Sequence, residues 1–289
     1  MKTAIIGASG FIGRCLWNSY KKEYPDCVGT AFSNSSKGLT FFDLRYPDLA
    51  KLNLERTGHK AVIIASAKPN IAYCENEAEQ ALLVNVTGTL ALIKQLAKTK
   101  IKIFFLSSDY VFDGKKGLYD DFSSTNPTTE YGRQKEIVEK EIPKLTDNYQ
   151  IIRLSRIYGL EKGDGTLLDK IAENLLSQKN MQLANDQFFS PTYVKDTVRI
   201  IKNIQKKSLS KIINIAAPIR ISRYEVAKQL GKQMKADISL IEPISLHDIQ
   251  SMYNYPRDTS LHCSHLNKFS SPFFTPWKDI LRRINENYC

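Results

Sequence analysis

Thr3-Ala4-Ile5-Ile6-Gly7-Ala8-Ser9-Gly10-Phe11-Ile12-Gly13 decides how this chain is read. Thr3–Ile6 is a short run rich in β-branched residues, which suit a pleated strand, and it stops at a glycine. Residues 11–24 follow with Phe11, Ile12, Cys15, Leu16 and Tyr20 at helical spacing. The glycines fall between the two. Gly7 permits the tight turn, Gly10 lets the backbone approach a diphosphate, and Gly13 lets helix and strand pack closely. The first turn of the helix, at Phe11 and Ile12, then offers unpaired N–H groups to phosphate. A plain glycine-rich turn is the competing reading; the placement between a strand and a helix favours a dinucleotide site.

The alternation continues along the chain. Strands are expected at 27–32, 61–67, 101–108 and 151–157, and helices at 78–98 and 127–142, with Pro127 at the first helical position. Continuous apolar strands alternating with helices indicate a parallel sheet covered on both faces. The expected fold is α/β: a doubly wound parallel sheet of Rossmann type over 1–157, with a smaller C-terminal α/β substrate-binding lobe over 158–289. The segment around 191–217 is expected to return to the main sheet. Further helices are read at 167–178, 193–206, 222–234 and 277–287, and a strand at 211–216.

Apolar residues are 42% of the 289 and charged residues 25%, which excludes a disordered or collagen-like chain. The formal charge of +11 suits an anionic ligand: nucleic acid, an acidic membrane or a phosphorylated small molecule. Lys206-Lys207 and Arg282-Arg283 fall far short of a nucleic-acid stripe, and no stretch reaches the roughly 20 apolar residues of a membrane span. Five cysteines without a CxxC pair point to a reducing compartment, and the expected location is cytoplasmic.

In NAD-binding sheets an acid after the second strand grips the ribose 2′-hydroxyl. No acid ends the second strand here; Ser33, Ser35, Ser36 and Lys37 follow it, a set suited to a 2′-phosphate. The cofactor expected is therefore NADPH, with NADH the alternative. Asp43 either accepts from an adenine amino group or starts a turn. Tyr131 and Lys135 lie four apart on a predicted helix and share a face. A lysine ammonium beside a phenol lowers the tyrosine pKa, and such a tyrosine can give a proton to a carbonyl oxygen that receives hydride. Ser108, at the end of the preceding strand, is placed to bond the same oxygen.

In this company the chain resembles the extended short-chain dehydrogenase/reductases, and within them the dTDP-4-dehydrorhamnose reductase group. The matching stretches are GASGFIG (7–13), VNVTGT (84–89), LSSDYVFDG (106–114), YGRQK (131–135), IIRLSRIYG (151–159), NDQFFSPTYVKD (185–196) and PRDTSLHCSHL (256–266). The resemblance implies a catalytic triad of Ser108, Tyr131 and Lys135. It implies a cofactor held by Gly7, Gly10, Phe11, Ile12 and Gly13 at the diphosphate. Ser33, Asp43 and Leu44 would serve its adenosine end, and Ala65, Ser66, Ala67, Asn85, Tyr131 and Lys135 the remainder. Ser108, Asp109, Arg156, Gln187 and Phe189 would meet a nucleotide-sugar substrate, and a homodimer is among the assemblies implied.

The chain departs from the group at four places. Arg156 stands where a tryptophan is common, Phe189 replaces a glycine, and His262 replaces an aspartate. Cys15 occupies the position of a glutamate that bridges a metal in some bacterial members, so no metal is expected. Arg156 either favours a sugar richer in oxygens than a 6-deoxy sugar or turns away to pair with Asp109 or Asp186. His262-Cys263-x-His265 has no second ligand pair for zinc. Phe269, Phe273, Phe274 and Trp277 read as packing for the last helix. The expected activity is reduction of a nucleotide-linked 4-keto sugar. A related dehydratase is disfavoured because Tyr110, not a second carboxylate, follows Asp109. An epimerase, or a non-catalytic regulatory subunit like that of methionine adenosyltransferase, are the alternatives.

Overall fold

A computed structural model describes residues 1–32, 38–207, 210–249, 253–266 and 274–288. The expected contacts of Ser33, Ser35, Ser36, Lys37, Phe269 and Phe273 lie outside these. The chain divides into two compact units, each assembled from separate segments. The first comprises Met1–Phe112, Ser124–Leu154 and Val198–Ile213; the second comprises Asp113–Ser123, Ser155–Thr197 and Asn214–Cys289.

The first unit is organised by β1 (Thr3–Ile6), β4 (Ala61–Ile64), β5 (Lys102–Ser108) and β6 (Tyr149–Leu154), with β11 (Ile212–Ile215) at the edge, in the order β1-β4-β5-β6-β11. The sheet is parallel, with Ile5 opposite Ile63, Ile63 opposite Phe104 and Ser107 opposite Arg153. Every residue of β1, β4 and β6 is buried, which is why β4 reads as an unbroken apolar run rather than an alternating one, while β6 also buries Gln150 and Arg153. Helices α1 (Phe11–Lys21), α2 (Ile71–Asn76), α3 (Ala78–Leu82), α4 (Thr89–Leu96) and α5 (Glu130–Leu145) belong to this unit. Leu92, Ile93 and Leu96 of α4 and Val138 and Ile142 of α5 share one core cluster with Val62, Ile64, Ile103 and Phe105.

Three local expectations are corrected here. The second strand shrinks to β2 (Thr30–Ala31), paired with β3 (Thr40–Phe41). Upstream, the Val28 carbonyl still accepts the Ile5 N–H of β1 at 2.9 Å, but the Val28 N–H leaves the ladder for His59 Nε2 at 3.2 Å. The single helix expected over 78–98 is α3 and α4 joined by a π-helical turn at Leu83–Gly88. Its last residue, Gly88, faces the Leu44 carbonyl so closely that a Cβ would lie 1.8 Å from the oxygen. Finally, α5 starts at Glu130 rather than Pro127, since the Thr129 hydroxyl accepts the Gly132 N–H at 3.2 Å and caps the helix there.

The second unit holds three two-stranded ladders: β7 (Ile157–Tyr158) with β10 (Thr192–Tyr193), β9 (Phe188–Phe189) with β12 (Ile221–Ser222), and β8 (Met181–Ala184) with β13 (Ile241–Ile244). Helix α7 (Val194–Ile204) leads from the second unit into the first along the chain. In the second unit α6 (Leu167–Leu176), α8 (Arg223–Gln233) and α9 (Trp277–Tyr288) pack on one another. Buried Asp121 ties its Asp113–Ser123 segment down by accepting the His265 N–H at 3.0 Å and meeting the His265 ring at 2.9 Å. No helix among the described residues is long and apolar enough to cross a membrane.

Candidate functional site

The glycine turn has the geometry its spacing suggests. Gly7 has φ +89°, and a Cβ there would lie 2.7 Å from Ser66 backbone atoms. A Cβ on Gly13 would lie 2.1 Å from the Gly7 carbonyl oxygen, so only glycine lets α1 sit this close to the end of β1. Gly10 instead meets nothing nearer than 3.5 Å, leaving its surface open. It is the N-cap of α1 and supplies no side chain to the first-turn N–H groups, including those of Phe11 and Ile12. These face the positive end of an 11-residue helix.

Gly7, Ser9 and Gly10 line a cavity of about 290 Å³, with Thr30–Ala31 and Phe32 along one flank and Asp43, Leu44 and Arg45 beside them. Ala65, Ser66, Ala67 and Lys68 continue the lining from the end of β4. Both the shape and the donor set fit a dinucleotide: bare backbone at the helix start, apolar walls and a few cations. Asp43 is committed to Arg45, whose Nε reaches its two carboxylate oxygens at 2.9 and 3.1 Å while Nη2 adds a bond of 2.7 Å. The guanidinium holds the Asp43 carboxyl below its ordinary pKa.

Asn85 sits just behind the cavity rim. Located in the π turn and 1% exposed, it accepts the Lys68 N–H at 2.7 Å and donates to the Lys68 carbonyl at 3.1 Å. Its amide also donates to Gln134 Oε1 at 2.7 Å, joining the rim to α5. π turns recur at functional sites, and this one turns a polar side chain inward.

Helix α5 carries Tyr131 and Lys135, both buried. Gly132 makes the placement possible, because a Cβ there would lie 2.1 Å from the Tyr110 carbonyl oxygen. The helix start is thus pressed against the turn that follows Ser108. The Ser108 hydroxyl donates to Asp109 at 3.0 Å, accepts the Tyr110 N–H at 3.2 Å, and lies within hydrogen-bond reach of the Tyr131 phenol. Lys135 Nζ donates to the Leu106 carbonyl at 2.9 Å and lies 4.6 Å above the Phe105 ring. Ser108, Asp109, Tyr131 and Lys135 are therefore brought together within the first unit.

The electrostatics differ from the simple lysine–phenol expectation. Burial pushes the Tyr131 phenol up, Asp109 and Cys74 push the same way, and Ser108 opposes them. Burial pulls Lys135 down to about 8, with Glu139 opposing. Lys135 Nζ is 5.8 Å from the Tyr131 ring centroid and is engaged with Leu106. Tyr131 thus holds its proton throughout the neutral range.

Behind Lys135, one helical turn on, the Glu139 carboxylate accepts the Ser107 hydroxyl at 2.5 Å and Arg153 Nη2 at 2.7 Å. Both side chains of this Glu139–Arg153 ion pair are 4% exposed.

The other candidates belong to the second unit. Arg156 is exposed, and its side chain makes no ion pair among the described residues; Asp186 is held instead by Arg257 at 2.7 Å. Phe189 is buried in β9, and Gln187 accepts Arg223 Nε at 2.8 Å. Cys263 is buried against Ala216, and His265 is occupied by Asp121. Among the described residues no group of three or more His, Cys, Asp and Glu side chains is placed to hold a metal ion.

Residues 1–289 match the family described as RmlD substrate binding domain. The chain belongs to this family. A curated relative, methionine adenosyltransferase 2 subunit beta of Xenopus tropicalis, is 24% identical, covering 97% of this chain and 86% of its own length. A probable low-salt glycan biosynthesis reductase of Haloferax volcanii is 23% identical over 92% of this chain and 91% of its own. Among solved structures, dTDP-4-dehydrorhamnose reductase of Bacillus anthracis in complex with NADP superposes with a TM-score of 0.85 at 23% identity, covering 98% of this chain and 99% of that one.

Within this RmlD-family chain, sequence reading missed Arg45, Gln134, Glu139 and Arg153. Arg45 carried a faint signal, two residues from Asp43. Gln134 and Glu139 sit on the YGRQK helix, but their partners lie 49 and 14 residues away, at separations that no local period reveals.

Proposed function

We propose that this chain is an NADPH-dependent reductase of a nucleotide-linked 4-keto sugar. The observation that carries the reading is the burial of Ser108, Tyr131 and Lys135 together, in the same unit as a cavity built on the Gly7–Gly13 turn. When bound, the reduced nicotinamide would supply a hydride to the sugar carbonyl. Tyr131 keeps a proton on Oη at neutral pH and delivers it to the carbonyl oxygen, while Ser108 orients that oxygen. Lys135, charged below about pH 8, holds the ribose side. The α1 N-terminus with Gly10, Phe11 and Ile12 would take the diphosphate; Leu44 and Ala65, Ser66 and Ala67 would flank the adenosine and ribose. Arg156, Gln187 and Phe189 are proposed for the sugar nucleotide.

A second reading, a cofactor-binding regulatory subunit, is favoured by the match to the methionine adenosyltransferase subunit. The deciding experiment follows NADPH oxidation with a dTDP-linked 4-keto-6-deoxy sugar. Turnover by the native chain, slowed about 10²–10⁴-fold in Tyr131→Phe with NADPH binding kept, supports the reductase. Tight NADPH binding with no oxidation across a panel of keto sugars supports the regulatory subunit.

A further inference from the structure

Arg45 is held in an unusual way at the mouth of the cavity. One edge of its guanidinium, Nε and Nη2, is spent on Asp43. Its centre lies 4.9 Å from the centroid of the Phe32 ring, which is 56% exposed. An arginine fork has five donors, so the edge carrying Nη1 remains for another anion, and among the described residues it has no partner. Asp43 matters twice in this arrangement. It fixes the guanidinium plane, and being neutralised by Arg45 it does not repel a second anion.

The location says which anion. In a doubly wound sheet the diphosphate sits at the first helix N-terminus, and the adenosine ribose 2′-position falls at the end of the second strand. Here that strand end is Thr30–Ala31 followed by Phe32, the residue beneath Arg45. No acid is present at this strand end to accept a ribose hydroxyl. The cavity thus carries a planar, always-charged donor fork at the ribose end, supplied from the segment after β3 rather than from β2 itself.

We propose that Arg45, pinned by Asp43 over Phe32, reads the 2′-phosphate and sets the preference for a 2′-phosphorylated dinucleotide, with Asp43 serving as its anchor rather than as an adenine acceptor. This rests on the reading of the cavity as a dinucleotide site. A bidentate, charge-assisted contact to phosphate is a strong one, and losing it leaves the unphosphorylated ligand indifferent.

The test is equilibrium binding of NADPH and NADH, with 2′,5′-ADP and 5′-AMP as fragments, measured by calorimetry. The native chain should bind NADPH more tightly, and the gap should narrow as salt rises. Arg45→Met should weaken NADPH and 2′,5′-ADP about tenfold or more while holding NADH and 5′-AMP within about twofold. The retained NADH binding also reports that the variant is folded. Asp43→Asn should act in the same direction, more weakly, on the phosphorylated pair alone. If the native chain binds NADPH and Arg45→Met keeps its preference, or loses both dinucleotides equally, the assignment of Arg45 is overturned while the cavity reading stands. If Asp43→Asn weakens both dinucleotides alike, its anchoring role is overturned. A native chain that binds neither dinucleotide overturns the cavity reading and this proposal together.

Discussion

The glycine turn and the Ser108–Lys135 pocket belong to the same unit and are held by opposite means. At the turn, the structure depends on side chains that are missing: Gly7 and Gly13 each bring backbone against backbone at distances a Cβ would forbid. In the pocket, it depends on polar side chains that interlock: Asn85 with Gln134, Ser107 and Arg153 with Glu139, and Lys135 with the Leu106 carbonyl. A site made of bare backbone presents fixed dipoles at little cost in side-chain order. A site made of buried charges is rigid only while every partner is present.

That contrast predicts which region is the more fragile. Arg153→Leu leaves Glu139 buried without its counter-charge, and removing one partner of a buried pair typically destabilises by about 3–5 kcal/mol. Urea unfolding should show a loss of that order, and a loss under about 1 kcal/mol would mean that water replaces the arginine. Gly13→Ala tests the other region. The added methyl must displace the Gly7 carbonyl, and overpacking of this kind costs about 1–3 kcal/mol. NADPH affinity should fall with it, because the helix start shifts; unchanged affinity would detach the close packing from binding.

The smallest effect sharpens the comparison through pH. Lys135 drops to about 8 from an ordinary 10.5 because burial disfavours its charge. Between those values the unfolded chain binds more protons than the folded one, so this group makes stability rise with pH in that window. NADPH affinity should move the opposite way, falling as pH climbs through about 8 and the ammonium is lost. Calorimetric titrations at about pH 7 and about pH 9 should differ severalfold in the native chain and not in Lys135→Met. Equal pH dependence in both would assign the effect to another group.

The same contrast explains what could be read from residues alone. The glycine turn and the largely apolar strands β1, β4, β5 and β6 announce themselves because their causes are local: spacing, β-branching and a missing Cβ. The family resemblance named Ser108, Tyr131 and Lys135 from short motifs. The interlocking partners stayed hidden, since Arg153 meets Ser107 only through strand register and Asn85 meets Gln134 only after a π turn rotates it inward. The long helix expected over 78–98 failed for a tertiary reason as well: the helix must yield where Gly88 meets the Leu44 carbonyl. Arg45 escaped notice because a charged residue in a loop looks solvated until an aromatic ring is found beneath it.

The late arrival of β11 has a consequence for the chain as it is made. Four strands of the sheet are complete once Leu154 has emerged, yet the strand that covers the open side of β6 begins only at Ile212. Every residue of β6 is buried in the finished fold. For the 57 residues between them (155–211), an edge that is buried in the finished fold has no permanent neighbour. At about 5–20 residues per second, the ribosome leaves that edge bare for roughly 3–11 seconds. Unpaired strand edges are templates for wrong partners. Synthesis rate and chaperone supply across that interval should therefore govern the yield of intact protein.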